Sequence, residues 1–415
     1  MAKVLLLSHP MKEKLADYPM LATTLFGLEE VLADELLKIG AKDIVKLKRA
    51  VSFSGDKGFM YKANYCLRTA TRVLKPIHSF HIRDEEDLYT KIKKIKWEEY
   101  LDVMSTFAID TSLKTHLFSH SQFISQKAKD AIADRFREKF DKRPSVDLER
   151  PWLRINIHVH DNNCIVSLDS SGSSLHKRNY RDKTNLAPLN EVLAAGMILL
   201  TGWPARTNRG DSSDSGGDKK IPFLDPMCGS GTIVTEAALI AGNIPPGYYR
   251  EEYNFMTWKD FDKDLWELIK EACLKKINEH DVQILGSDLS PHVIKKAKQN
   301  IKEAKVEDMV KVSCEDFLAL AKPAETGIIV MNPPYGERMD KDNITELYKA
   351  IGDTLKKNWQ GWTCWLITSN EEAMNAIGLR HTRRITLFNG GLECKYLKYE
   401  MYAGTKKVHK LIPKE

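Results

Sequence analysis

The tetrapeptide Asn332-Pro333-Pro334-Tyr335 follows the apolar run Ile328–Met331 and carries the sharpest chemistry in the chain. Two consecutive prolines fix an extended backbone without N–H donors, so their carbonyls stand free as acceptors. The Asn332 side-chain oxygen and the Pro333 carbonyl can then accept both hydrogens of an exocyclic amine. Held that way, the nitrogen lone pair leaves conjugation and can be aimed at a methyl donor. Tyr335 supplies a flat face for a base turned out of its stack. The plain alternative is a proline-rich loop that ends a strand.

Three further motifs follow strands. Asp225-Pro226-Met227-Cys228-Gly229-Ser230-Gly231-Thr232 comes after Ile221–Leu224 and opens the helix Ile233–Ala241. In a parallel sheet that is the carboxyl-end crevice where ligands bind. Gly229 and Gly231 let the backbone approach a ligand and free helix N-terminal amides for a carboxylate. A pyrophosphate cradle is disfavoured, because Val234 stands where a dinucleotide fingerprint needs a small residue. Asp288, ending the next strand beside Leu289, can accept both hydroxyls of a ribose, and Ser290 with Pro291 starts the following helix. After the third strand, Asp316 is placed to take a hydrogen bond from an adenine amino group, with Glu315 beside it and Cys314 or Phe317 near the ring. Asp316 could instead cap its own turn, and Asp288 could be an exposed loop carboxylate. No metal-ligand constellation and no nucleophile–base arrangement is present, and transfer from a sulfonium needs neither, since placing donor and acceptor in line is the main requirement.

These motifs need a sheet to hold them. From Ile221 onward, strand-like runs Ile221–Leu224, Val282–Gly286, Val310–Ser313, Ile328–Met331 and Thr363–Thr368 alternate with helix-length segments, the mark of a doubly wound parallel sheet. Ile385–Phe388 and Lys395–Met401 are joined by Asn389-Gly390-Gly391, a turn suited to an antiparallel hairpin. The class is therefore α/β, a Rossmann-like sheet of five parallel strands plus a C-terminal antiparallel hairpin. Ahead of it, Pro19–Thr24 reads as a strand and Gly27–Gly40 as a helix with Leu28, Val31, Leu32, Leu36 and Ile39 on one face and Gly40 at its end. Ile44–Leu47 and Val51–Phe53 read as strands, Gly58–Arg72 as a helix, and Val73–Ile77 as a strand. A second α+β pattern follows, with helices over Glu85–Ile95 and Ser121–Phe140, a strand at Phe107–Leu113, and a hairpin of Leu153–His160 with Cys164–Asp169. Asn190–Leu200 is a nearly all-apolar helix that must be buried, and Arg206–Lys220 a polar surface loop.

The 415 residues exceed one ordinary core, and the 42% hydrophobic, 29% charged composition is that of a folded chain. No apolar run approaches the ~18 residues of a membrane span, and the start lacks a secretory pattern. The seven dispersed cysteines form no C-x-x-C pair, which points to reduced thiols in a cytoplasm and away from structural zinc or disulfides. A net charge of +6 is compatible with an anionic partner and decides little alone. Lys91, Lys93, Lys94 and Lys96 read as a solvated face. His176 to Arg181 combines cations with an aromatic, so Lys177, Arg178, Tyr180 and Arg181 are candidates for phosphate contact and base stacking, the alternative being a plain charged surface.

Together with Glu236-Ala237-Ala238, Pro245-Pro246-Gly247, Gly286-Ser287-Asp288, Asn332 to Arg338 and the stretch 175–190, these motifs resemble the bacterial 23S ribosomal RNA guanine-N2 methyltransferases that carry a THUMP domain. The resemblance spans about Leu21 to Tyr402. It implies a ferredoxin-like segment (1–74), a THUMP RNA-binding domain (75–170), a linker (171–190) completing the cofactor pocket through Pro188 and Asn190, a methyltransferase domain (191–405) and a basic tail (406–415). It further implies S-adenosylmethionine (SAM) as cofactor, with Asp225, Pro226, Cys228, Gly229, Ser230, Gly231, Thr232, Asp288, Leu289, Glu315, Asp316 and Asn332 around it. Ribosomal RNA or a large-subunit precursor would be the partner, in the cytoplasm. Some relatives carry a second methyltransferase domain behind this one, so this chain is expected to perform at most the first reaction. N6-adenine methylation of DNA or RNA is the competing activity, because the same tetrapeptide serves either amine, and a non-catalytic RNA-binding factor is the competing class. If the front half only recognises substrate, a chain lacking residues 1–170 should still fold and bind cofactor.

Overall fold

The computed structural model describes residues 16–181, 189–204, 221–278, 281–335 and 341–402. Pro188, the 206–220 loop and the 406–415 tail lie outside them.

The front half is built from β1 (Tyr18–Thr24), α1 (Glu29–Ile39), β2 (Lys42–Leu47), β3 (Ala50–Gly55), α2 (Lys57–Cys66), β4 (Ala70–His81), α3 (Glu85–Lys94), β5 (Thr106–Lys114), α4 (Ser121–Phe140), β6 (Ser145–Val146), β7 (Leu153–His160) and β8 (Asn163–Asp169). β1 and β7 bury alternate residues, the period of a strand with one face on a core. Gly40 ends α1 at φ 98°, a left-handed position suited to glycine. The expected helix Gly58–Arg72 stops earlier, at Cys66. The half-buried Glu35 carboxylate takes the Arg68 and Thr69 amides, each at 2.9 Å, and these cannot then continue the helix ladder.

The two expected α+β units form one eight-stranded sheet in the order β2-β3-β1-β4-β8-β7-β5-β6. β4 joins them by pairing with β1 on one side and β8 on the other, so the expected boundary at Leu74 falls inside this strand. Three of the lysines read as a charged face sit in ion pairs, Lys91 with Asp87 (2.9 Å), Lys93 with Glu138 (2.5 Å) and Lys96 with Glu99 (3.8 Å).

The second sheet comprises β9 (Phe223–Asp225), β10 (Ile284–Asp288), β11 (Val310–Cys314), β12 (Gly327–Met331), β13 (Trp362–Thr368), β14 (Arg383–Asn389) and β15 (Leu392–Glu400). Its order is β11-β10-β9-β12-β13-β15-β14, with the first five parallel. The later hairpin strand, β15, pairs antiparallel with β13 and leaves β14 at the edge. Helices α5 (Glu191–Leu200), α6 (Thr232–Ala241), α7 (Lys263–Leu274), α8 (Pro291–Glu303), α9 (Lys341–Asn358) and α10 (Glu371–Ala376) complete this half. The apolar α5 is buried as its composition demands. Asn190 caps it by accepting from the Val192 and Leu193 amides at 2.9 and 3.3 Å, and Gly196 leaves room for Leu28 of the front half.

The segment between α6 and β10 packs away from its own sheet. Tyr253, Phe255, Trp258 and Trp266 are buried in the core of the front half. Phe255 stacks on Tyr61 with ring centroids 4.4 Å apart, and Trp266 lies edge-on to Tyr65 at 5.5 Å. The front half and the methyltransferase-like half therefore share a core. A chain beginning after residue 170, expected to fold alone, would leave four large aromatic side chains without this cover.

Candidate active site

The register of the parallel strands sets the site. Asp225 pairs with Gly286, so Asp225, Asp288 and Met331 all finish at the same edge of the sheet. A cavity of about 920 Å³ opens there.

Asp225 is completely buried, and its Oδ1 accepts the Met227 amide at 3.2 Å. Burial, and then the charge of Asp288 nearby, push this carboxyl well above the ordinary carboxylate range. A wall carboxyl so placed favours a cationic ligand group, which would restore its ionised form. Asp288 is pinned at both oxygens, by the Gly229 amide (3.1 Å) and the Ser290 amide (3.0 Å), and each oxygen keeps a further lone pair. Gly229 adopts φ 54° and would face open space with a Cβ, while Gly231 adopts φ 82° as the N-cap of α6. The glycines' own amides are engaged, since Gly229 donates to Asp288 and Gly231 donates to the Cys228 carbonyl at 2.8 Å. The donors left for an anion belong to the first turn of α6, which no side chain caps and where Thr232 and Ile233 line the cavity.

Asp316 does two things at once. Its Oδ1 caps the Leu318 amide at 2.9 Å, and the residue lines the cavity with Phe317. Glu315 is exposed, follows the edge strand β11 and is not among the residues lining the cavity. Cys314 is likewise exposed, its thiol 3.5 Å from the Leu289 carbonyl. Pro226, Cys228, Ser230, Leu289 and Asn190 all line the cavity.

The same cavity is lined by Asn332, Pro333, Pro334 and Tyr335. The Asn332 Oδ1 is buried and has no hydrogen-bond partner. A buried acceptor left open costs about 1–3 kcal/mol, so its orientation calls for a donor brought by a ligand. Tyr335 is fixed through its hydroxyl, which accepts from Asn389 Nδ2 at 2.8 Å. Asn389, Gly390 and Leu392 of the β14–β15 hairpin also line the cavity, as do Val293, Lys296 and Leu347. None of these was expected. For Asn389 the sequence signal was present but was read only as turn chemistry.

The stretch 177–181 is corrected. Arg178 and Tyr180 are buried, at 1% exposure each, and both meet the Glu236 carboxylate, at 3.4 and 3.0 Å. Neither can touch a phosphate, because each is enclosed where the two halves meet. Arg181 braces the site from behind, donating to Glu191 (2.9 Å), Thr232 Oγ1 (3.0 Å) and the Leu189 carbonyl (3.0 Å). Lys177 alone of the four is exposed. Among the described residues, no group of three or more His, Cys, Asp and Glu could hold a metal ion. No described helix is long and apolar enough to cross a membrane.

The family model described as the RMKL-like methyltransferase domain matches residues 178–398, just over half of the chain. The chain belongs to this methyltransferase family. Within this family assignment, the THUMP domain model matches residues 83–169 and the RlmL ferredoxin-like domain model residues 19–74. A candidate RNA methyltransferase of Synechocystis sp. is 37% identical over 92% of this chain and 97% of its own length. The ribosomal RNA large subunit methyltransferase K/L of Syntrophotalea carbinolica is also 37% identical over 92% of this chain, which spans 53% of that longer protein. Among solved structures, SMU.472, described as a candidate methyltransferase in complex with S-adenosylhomocysteine (SAH), is 26% identical with a TM-score of 0.79, over 94% of this chain and 99% of its own.

Proposed function

We propose that this protein transfers a methyl group from SAM to the exocyclic N2 amine of a guanine in 23S ribosomal RNA. The observation that carries the acceptor side is the buried, unpartnered Oδ1 of Asn332 beside Pro333, Pro334 and Tyr335. Other residues lining the same cavity fit a SAM-sized ligand, with Asp288 for ribose hydroxyls, Asp316 for an adenine amino group and the buried Asp225 for a cationic end. When bound, SAM supplies a methyl group already activated by its sulfonium. Asn332 Oδ1 accepts a hydrogen of the target amine and turns the nitrogen lone pair out of the base plane. Tyr335, held through its hydroxyl, gives the extruded base a fixed face. Enclosure by Leu189, Phe317 and the prolines limits water and keeps the acceptor aligned.

Two lines of support make RNA the substrate: the THUMP match in the front half, and the names of the curated relatives. Free thiols at all seven cysteines accord with a cytoplasmic setting. The deciding experiment is tritiated methyl transfer from SAM to ribosomal RNA, or to large-subunit precursors, from cells lacking this gene, followed by nucleoside analysis. Label in N2-methylguanosine is the expected result. Label in N6-methyladenosine would move the target to the competing base, and label in DNA alone would overturn the substrate.

A further inference from the structure

We infer that Asn389 is a positioning residue for methyl transfer, acting on the target base through the hydroxyl of Tyr335. The inference rests on the reading of Asn332–Tyr335 as the acceptor site.

Asn389 is the last residue of β14, directly opposite Leu392 across a two-residue turn in which Gly390 takes φ 62°. That geometry returns the chain at once and brings Asn389, Gly390 and Leu392 to the cavity wall facing the tetrapeptide. Asn389 Nδ2 donates to the Tyr335 hydroxyl at 2.8 Å, and Cys394 Sγ lies 3.9 Å from the same oxygen. This long-range contact fixes the far end of the Tyr335 ring.

The hairpin is itself immobilised by the front half. Phe26 meets Phe388 edge-on at 5.6 Å, and the Arg49 guanidinium lies 5.7 Å over the Phe388 ring. Gly27 sits against the Thr386 carbonyl with no room for a Cβ. Asn389 is thus presented from an edge strand clamped by another domain, which suits a residue that must set an angle rather than supply reactivity. Burial raises the Tyr335 phenol above its ordinary range, so the ring stays neutral and serves as a platform rather than a base.

The test uses the full chain with SAM and ribosomal RNA, reading kcat and KM for RNA, the SAM dissociation constant by calorimetry, and Tm. N389A is expected to lower kcat/KM for RNA roughly 3- to 10-fold, the span of one hydrogen bond, with SAM affinity and Tm unchanged. Y335F should match N389A, and the double variant should be no worse than either alone. N389D should recover most of the activity, because the tyrosine hydroxyl can donate to the new carboxylate. Losses that multiply in the double variant, no recovery in N389D, or a parallel fall in SAM affinity would overturn the positioning role. Y335A separates the two ideas. Undiminished transfer in Y335A would remove the acceptor-site reading itself, whereas loss in Y335A with unchanged N389A would remove only the role of Asn389.

Discussion

The Arg178 guanidinium and the Glu236 carboxylate form a buried ion pair, with Nε 3.4 Å from Oε1 and side chains 1% and 0% exposed. Arg178 also donates to the Leu175 carbonyl (2.7 Å) and to the Arg68 carbonyl of the front half (2.5 Å). It ties the linker, the front sheet and α6 together. Removing one partner of such a pair leaves an uncompensated buried charge at about 3–5 kcal/mol. R178A should therefore lose roughly that much stability in denaturant unfolding, while its folded fraction binds RNA with wild-type affinity. A fully stable R178A with weakened RNA binding would return Arg178 to the substrate surface.

A chain starting at residue 171 should fail as an independent domain. Tyr253, Phe255, Trp258 and Trp266 would lose the front-half core that covers them. Such an apolar patch drives association. Size-exclusion chromatography should show aggregates that bind a hydrophobic dye. A soluble monomer with a cooperative unfolding transition would contradict the shared core.

Asn332→Ala should separate transfer from cofactor binding. The open Oδ1 belongs to the tetrapeptide read as the acceptor side, whereas Asp225, Asp288 and Asp316 are read as the cofactor side of the same cavity. A fall in kcat on the order of 10²–10³, with the SAM dissociation constant within about twofold of wild type, is the expected outcome. Calorimetry on the variant checks it, and a comparable loss of cofactor affinity would reassign the residue.

His176 should make the protein acid-sensitive in a defined window. Its Nδ1 lies 2.8 Å from Ser174 Oγ, and the ring is half-buried beside Lys177, Arg178, Arg181 and Arg250. Burial, and then these cations, lower its pKa from 6.5 to about 4. Between those values the unfolded chain binds the proton and the folded one does not. Stability contributed by neutral His176 is therefore complete above pH 6.5 and is lost as pH falls toward about 4. H176N should show a shallower fall of Tm across that window, and parallel curves for the two proteins would reject the assignment.

Much of the fold and half of the site are written in local chemistry. Alternating burial marks β7, and the apolar run of α5 marks a helix enclosed on all sides. Glycines at positive φ mark the turn after β9, and the Asn-Pro-Pro-Tyr run after β12 marks the acceptor candidate, whose Asn332 Oδ1 is left open. Those features depend on neighbours a few residues away, so the chain declares them without its tertiary structure. Three others were decided only by packing. Arg178 and Tyr180 look like a nucleic-acid surface until Glu236, 58 and 56 residues further on, accepts them in the interior. The aromatic segment around Phe255 could have covered either sheet, and only the stacking on Tyr61 assigns it to the front one. Asn389 reads as a turn residue until Tyr335, 54 positions earlier, is found beneath it. Residue type and turn chemistry are local properties, but what surrounds a side chain depends on which distant segments the fold brings against it.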